Sequence, residues 1–151
     1  MPISKKAPRT QATIWNFVGE VLVVCPRCTK TALVRLDADE THARLSCSQC
    51  GHVKTKSIGQ YRVGEATDPY FHIPLWLQTP VTNHILWAYN SRHLEFLREY
   101  IQATNRRRPP RKPADPLNTL LASRLPRWIV LAKNRNRLLA ALTELEKKLH
   151  A

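Results

Sequence analysis

Glycine is scarce in this 151-residue chain, with four copies, and no phosphate-cradling Gly-rich loop can be assembled from them. Carboxylates paired as a general acid and base are missing too, as is a recognisable Ser/His/Asp arrangement. His72, His84 and His93 are scattered and read as surface or satisfied core residues. These gaps make an enzyme the least supported function class. No apolar run approaches 18 residues, so no transmembrane helix is expected. The apolar stretch 14–24 is interrupted by Glu20 and followed by no small-x-small cleavage site, and is not expected to act as an export signal. Acids are short as well: 11 Asp+Glu face 24 Lys+Arg, for a net charge of +13 and a pI near 10.2.

Cysteine is sparse but ordered. The chain has four, in two matched pairs, Cys25-Pro26-Arg27-Cys28 and Cys47-Ser48-Gln49-Cys50, separated by 18 residues. That spacing falls in the window for a four-thiolate zinc site. Each C-x-x-C places two sulfurs on one side of a tight turn, and two facing turns supply four sulfurs at about 2.3 Å from one Zn²⁺. Disulfides are disfavoured, because the chain is not a small, cysteine-dense secreted domain. A redox C-x-x-C needs one pair at a helix start in an α/β pattern, which is absent. Four thiolates fill the tetrahedron, so the metal is expected to be structural, with Cys25, Cys28, Cys47 and Cys50 as ligands. His42 and His52 are left as polar strand or turn residues.

The flanks of the pairs read as strands. Val21–Val24 leads into the first pair and Thr31–Leu36 leaves it; Asp37-Ala38-Asp39-Glu40 is a polar turn; His42–Ser46 approaches the second pair and Val53–Lys56 leaves it. Gly51 follows Cys50, where a knuckle turns its backbone N–H groups toward the thiolates, and Thr29 holds the equivalent place after Cys28. With this order of strands and knuckles, residues 20–57, about a quarter of the chain, resemble the zinc ribbon family. The whole chain also looks like short bacterial proteins with such a ribbon at their N-terminus. The resemblance implies a nucleic-acid or nucleoprotein setting and selects no mechanism within it.

The expected fold class is α+β: a small N-terminal antiparallel zinc ribbon followed by an α-helical C-terminal region. Residues 1–13 are read as a mobile basic arm and 14–57 as the ribbon, which is too small to fold without metal. Residues 58–80 are read as an irregular connection rich in proline and aromatics (Tyr61, Tyr70, Phe71, Trp76) and packed across ribbon and helices. Residues 81–151 are expected to be helical. Val81–Tyr89 forms a short helix in this reading, and Asn90 or Ser91 caps the next, which carries Leu94, Leu97 and Ile101. Prolines 109, 110 and 113 break the helical region at 105–113, Asp115-Pro116 restarts it, and Pro126 kinks or starts a segment through Trp128. Leu138, Leu142, Leu145 and Leu149 make a stripe too short for a coiled coil and are assigned to core.

Charge is uneven. Residues 105–137 hold ten bases (Arg106, Arg107, Arg108, Arg111, Lys112, Arg124, Arg127, Lys133, Arg135, Arg137) and one acid, Asp115, a local net of +9. Such a field needs a polyanion partner, and arginine suits forked phosphate contacts. Those ten residues are the candidate nucleic-acid contacts. Lys133, Arg135 and Arg137 also crowd the expected start of the last helix, where the macrodipole disfavours cations and a bound phosphate would relieve the conflict. The expected function is a non-enzymatic, zinc-binding, cytoplasmic monomer that binds RNA or DNA mainly through phosphates, alone or within a larger complex. The alternative is a protein-interaction module (adaptor, inhibitor or immunity-type partner) anchored by Trp76, Trp87 or Trp128.

Overall fold

Alternation of apolar and polar side chains from residue 20 onward produces a four-stranded antiparallel meander, seen in a computed structural model that describes residues 17–103 and 125–150. The basic arm, the 105–113 break and the Asp115-Pro116 restart lie outside the described residues. The strands are β1 (Glu20–Val24), β2 (Thr31–Leu36), β3 (His42–Ser46) and β4 (Val53–Ser57), paired in sequence order. Val21 pairs with Val34 and Val34 with Leu45, so a buried apolar row crosses three strands. In β4 the same row ends at Lys54, and the row through Ala43 ends at Lys56. Lys56 Nζ donates to the Tyr70 carbonyl at 2.9 Å, and Lys54 Nζ lies 6.0 Å from the Phe71 ring centroid. Charged residues on the core side of a free edge oppose edge-to-edge aggregation.

The opposite edge is covered. Val24 N–H donates to Pro74 O at 2.9 Å, Trp76 N–H to Leu22 O at 3.0 Å, and Leu22 N–H to Tyr89 O at 2.8 Å. The connection after β4 thus returns along β1 and spends its backbone groups there. Asp68 shapes that return. It is fully buried, and its carboxylate accepts from the N–H groups of Tyr70, Phe71 and Ile73 at 3.0, 2.7 and 2.7 Å. Tyr70, also buried, donates its hydroxyl to Val18 O at 3.0 Å. Of the four aromatics in the connection, Tyr70 is buried and Phe71 and Trp76 pack against the core, while Tyr61 is 45% exposed.

Residues 77–88 depart from expectation. In place of a helix over Val81–Tyr89, strands β5 (Leu77–Val81) and β6 (His84–Ala88) form an antiparallel hairpin. Val81 pairs with His84 across the two-residue turn Thr82-Asn83, where Thr82 has φ 53. Hairpin turns need a positive φ there and normally take Gly. A threonine in that place hides the hairpin from sequence inspection. Leu77, Val81, Leu86 and Ala88 are buried, while Ile85 stays half exposed.

Helix α1 (Ser91–Gln102) follows, capped by Asn90, whose Oδ1 accepts from His93 N–H at 2.9 Å. Asn90 Nδ2 donates to Phe17 O and Glu20 O at 2.8 and 2.7 Å, so one side chain caps the helix and ties it to the start of β1. After residue 124 come a short helix α2 (Arg127–Val130) starting behind Pro126, a 3₁₀ turn (Ala132–Asn134) and helix α3 (Arg135–Leu149). Helices α1 and α3 pack antiparallel: Arg135 reaches the Ala103 carbonyl at one end, and Ser91 and His150 share a surface groove at the other. Arg98 spans the pair, donating to both carboxylate oxygens of Glu146 at 2.6 and 2.8 Å and to Thr143 Oγ1 at 3.1 Å. Leu138, Leu142 and Leu145 are fully buried core as expected, each stabilising by about 1.5–3 kcal/mol, and Leu149 is half-buried. A single cluster of buried side chains runs from Val21 in the meander to Leu145 in α3.

Candidate metal centre

An up-and-down meander puts its first and third connections at the same end of the sheet. Those connections are the two C-x-x-C turns, so topology alone brings both cysteine pairs together. Locally the turns repeat each other. Cys25 N–H donates to Lys30 O (2.7 Å) and Thr29 N–H to Cys25 O (2.9 Å); Cys47 N–H donates to His52 O (2.9 Å) and Gly51 N–H to Cys47 O (2.9 Å). The residue after the second cysteine is left-handed in both, with φ 65 at Thr29 and φ 78 at Gly51. Thr29 therefore adopts a conformation costly for a β-branched residue, in the place that the second turn gives to glycine.

Four thiols converge. Cys25 Sγ lies 3.7 Å from Cys50 Sγ, Cys28 Sγ lies 3.5 Å from Cys47 Sγ, and all four sulfurs fall within 4.8 Å of one another. In a regular tetrahedron of metal–sulfur bonds of about 2.3 Å, the sulfurs stand about 3.8 Å apart. The cluster is thus near the size at which a single ion touches every sulfur. Cys25 and Cys47 are buried, Cys28 is partly buried and Cys50 is exposed, so the site is anchored in the core on one side and opens to solvent on the other.

Backbone amides favour thiolate in parts of the cluster. The N–H groups of Cys50 and Gln49 draw the Cys47 thiol down to about 7 despite its burial. At Cys25, burial opposes ionisation, but the Cys28 and Arg27 amides outweigh it and lower the thiol; the Arg27 N–H to Cys25 Sγ distance is 3.4 Å. Cys28 goes the other way. The Lys30 amide pulls it down, yet burial and the thiols of Cys47, Cys50 and Cys25 push it up to about 12. Four anions cannot crowd this space unaided, and a metal ion that displaces the protons resolves the conflict. His42 and His52 lie outside the sulfur cluster. His42 Nδ1 contacts Thr41 Oγ1 at 2.9 Å and Asp37 at 3.4 Å, closing the β2–β3 turn.

The basic candidates divide. Arg106, Arg107, Arg108, Arg111, Lys112 and Arg124 lie outside the described residues. Arg127, Lys133 and Arg137 are exposed and make no ion pair among the described residues. Arg135 is differently placed: partly buried, it donates to the Ala103 carbonyl at 3.1 Å, at the C-terminus of α1. A cation at the start of α3 is thus compensated by the negative end of the neighbouring helix, which relieves the dipole conflict without a bound anion.

Asp68, which is not among the sequence-predicted site residues, carries one local signal, the Asp68-Pro69 pair that commonly opens a turn. Of the three histidines read as surface or core residues, His72 and His84 are exposed and His93 is buried, with Nδ1 accepting from Tyr89 N–H at 3.0 Å. Among the described residues no helix is long and apolar enough to cross a membrane. Comparison with protein-family models, with curated proteins and with solved structures finds no match for this chain.

Proposed function

We propose that Cys25, Cys28, Cys47 and Cys50 hold one structural Zn²⁺ in a zinc-ribbon arrangement, and that the chain is a non-enzymatic protein that binds nucleic acid through arginine–phosphate contacts. An all-sulfur donor set favours zinc over the harder cations, and four thiolates leave no coordination position for a substrate or water. When bound, the ion supplies folding free energy to a unit whose strands are only five or six residues long. Thiolates of this kind persist in a reducing compartment, which supports the cytoplasm as the setting.

The observation that carries the nucleic-acid reading is the excess of exposed cations without an acidic partner: Arg127, Lys133 and Arg137 around the last helices, with Arg27, Lys30, Arg44, Arg62 and Arg92 elsewhere among the described residues. The first three continue a sequence segment with six more cations between residues 106 and 124. Among the described residues, acids neutralise few of the positive charges: Arg98 pairs with Glu146, Arg35 with Glu20 and Lys147 with Glu144. The protein-interaction alternative draws less support, because Trp76, Trp87 and Trp128 are all partly buried and packed on the core.

Metal analysis of the purified chain tests the first half, with one zinc per chain expected. The second half predicts that affinity for mixed-sequence DNA or RNA falls steeply with salt, each neutralised phosphate contributing about 0.7–0.9 to the log–log slope. Replacing Arg106, Arg107 and Arg108 by Ala is expected to lower that slope and leave the melting temperature unchanged. A flat salt response rejects the reading.

A further inference from the structure

We infer that the cleft between the β5–β6 hairpin and α2 receives one unpaired nucleobase, so that the nucleic acid bound by this chain is single-stranded where it enters. The inference rests on the nucleic-acid reading above and adds the form of the strand and the place that holds it.

The cleft has a volume of about 390 Å³, within the range of small-ligand sites. Its walls are mainly apolar and aromatic, with Leu86 and Trp87 from β6, Leu97 from α1, and Trp128 and Ile129 from α2. Ile85, 50% exposed, stands among the lining residues as uncovered apolar surface. Trp128 already stacks on one flat heteroaromatic ring: the His84 imidazole lies 4.5 Å away, centroid to centroid, at an interplanar angle of 6°. The indole face therefore suits a planar ring system.

One polar group is set into this wall. His93 is 2% exposed and lines the cleft. Because its Nδ1 accepts from the Tyr89 N–H, the neutral ring carries its proton on Nε2. That nitrogen has no hydrogen-bond partner among the described residues, although the ring meets Trp87 edge-on at 5.6 Å. Burial holds the imidazole neutral, lowering it to about 3. Because His93 lines the cleft, this N–H can donate to an acceptor held there, and bases present ring nitrogens and carbonyl oxygens on their edges.

Charge selects the source of that ring. Arg127 sits between Pro126 and Trp128, two lining residues, and is exposed without an ion pair among the described residues. Stacking on aromatics beside cations that follow the backbone is how single strands are held without sequence preference. A duplex keeps its bases stacked inside and offers nothing to the cleft. A purely apolar ligand would leave the His93 N–H unmet.

The test compares the zinc-loaded full chain on a labelled single-stranded oligonucleotide, a duplex of the same length and a free nucleoside monophosphate. The single strand is expected to bind at least about tenfold more tightly than either and to quench tryptophan fluorescence. Trp128→Ala or Trp128→Leu should weaken single-strand binding by roughly 5- to 150-fold and leave duplex binding unchanged, while Trp128→Phe keeps most of the preference. Equal, salt-sensitive affinity for single strand and duplex overturns the base site alone and leaves phosphate binding standing. A monophosphate that binds as tightly as the strand overturns the assignment to a strand. Absence of binding to all three removes this inference together with the nucleic-acid reading. Should variants at Trp128 fail to fold, the wild-type comparison still decides.

Discussion

Two positions one residue beyond a cysteine show how much a single dihedral angle weighs. Gly51 at φ 78 and Thr29 at φ 65 hold the same place in the two turns, and no neighbour crowds a Cβ at Gly51. Gly51→Ala is therefore expected to cost about 1–2 kcal/mol from backbone strain alone, and Thr29→Gly to recover about 1 kcal/mol. Chemical denaturation with zinc present reads both, and a destabilised Thr29→Gly would show that Thr29 is not strained. The buried His93 makes the second prediction at this scale. Its folded pKa is lowered to about 3 by burial, whereas an exposed histidine titrates near 6.5. The unfolded state thus binds more protons between these values, and stability falls as pH drops through that window, by up to a few kcal/mol. Thermal melts from pH 7 to pH 4 should show a steeper decline for the wild type than for His93→Asn, which retains an acceptor near Nδ1 and does not titrate. Parallel declines would remove His93 as the cause.

Between elements, Asn90 is the joint. It caps α1 with its oxygen and holds the carbonyls of Phe17 and Glu20 with its nitrogen. Asn90→Ala is expected to cost about 1–2 kcal/mol for the cap, and more for two carbonyls left without their donor. Asn90→Asp restores the acceptor but not the donor, so urea denaturation should find it still less stable than the wild type. Full recovery by Asp would reduce Asn90 to an ordinary cap. The cap was legible in the sequence; its tie to residues 70 and 73 positions earlier was not, because no local pattern encodes a contact at that distance. The β5–β6 hairpin was misread for a related reason. Ile85-Leu86-Trp87 is an apolar run that suits helix or strand, Pro80 argues against a central strand, and Thr82-Asn83 lacks the usual hairpin glycine. Helix α3 packs on β5, and Trp76 donates to Lys148 O at 3.2 Å, so tertiary contacts settle what the local signal leaves open.

For the molecule as a whole, the cysteine cluster and the helices share one core, since buried side chains, Cys25 and Cys47 among them, connect Val21 and Leu45 to Tyr89 and Leu142. If the cysteines hold the proposed zinc, its removal should therefore be felt beyond them. Treatment with a strong zinc chelator is expected to abolish hydrogen-exchange protection in β1–β4 and at the Trp76 amide bonded to Leu22, with recovery on one equivalent of Zn²⁺. Protection that survives in β1–β4 would show that the meander folds without the ion. What the sequence alone determined is local and periodic: four cysteines at matched spacing, short alternating strands around them, a leucine stripe at helical period and an excess of basic residues. Those features depend only on near neighbours in the chain, so they are readable without a fold. The tertiary structure alone decided that residues 74–76 and Tyr89 close the edge of β1, that residues 77–88 pair as a hairpin, and that Arg135 serves the end of α1 rather than the start of its own helix. Each of these satisfies a backbone group, and the partner of an unpaired N–H or carbonyl is chosen by what the folded chain brings near it.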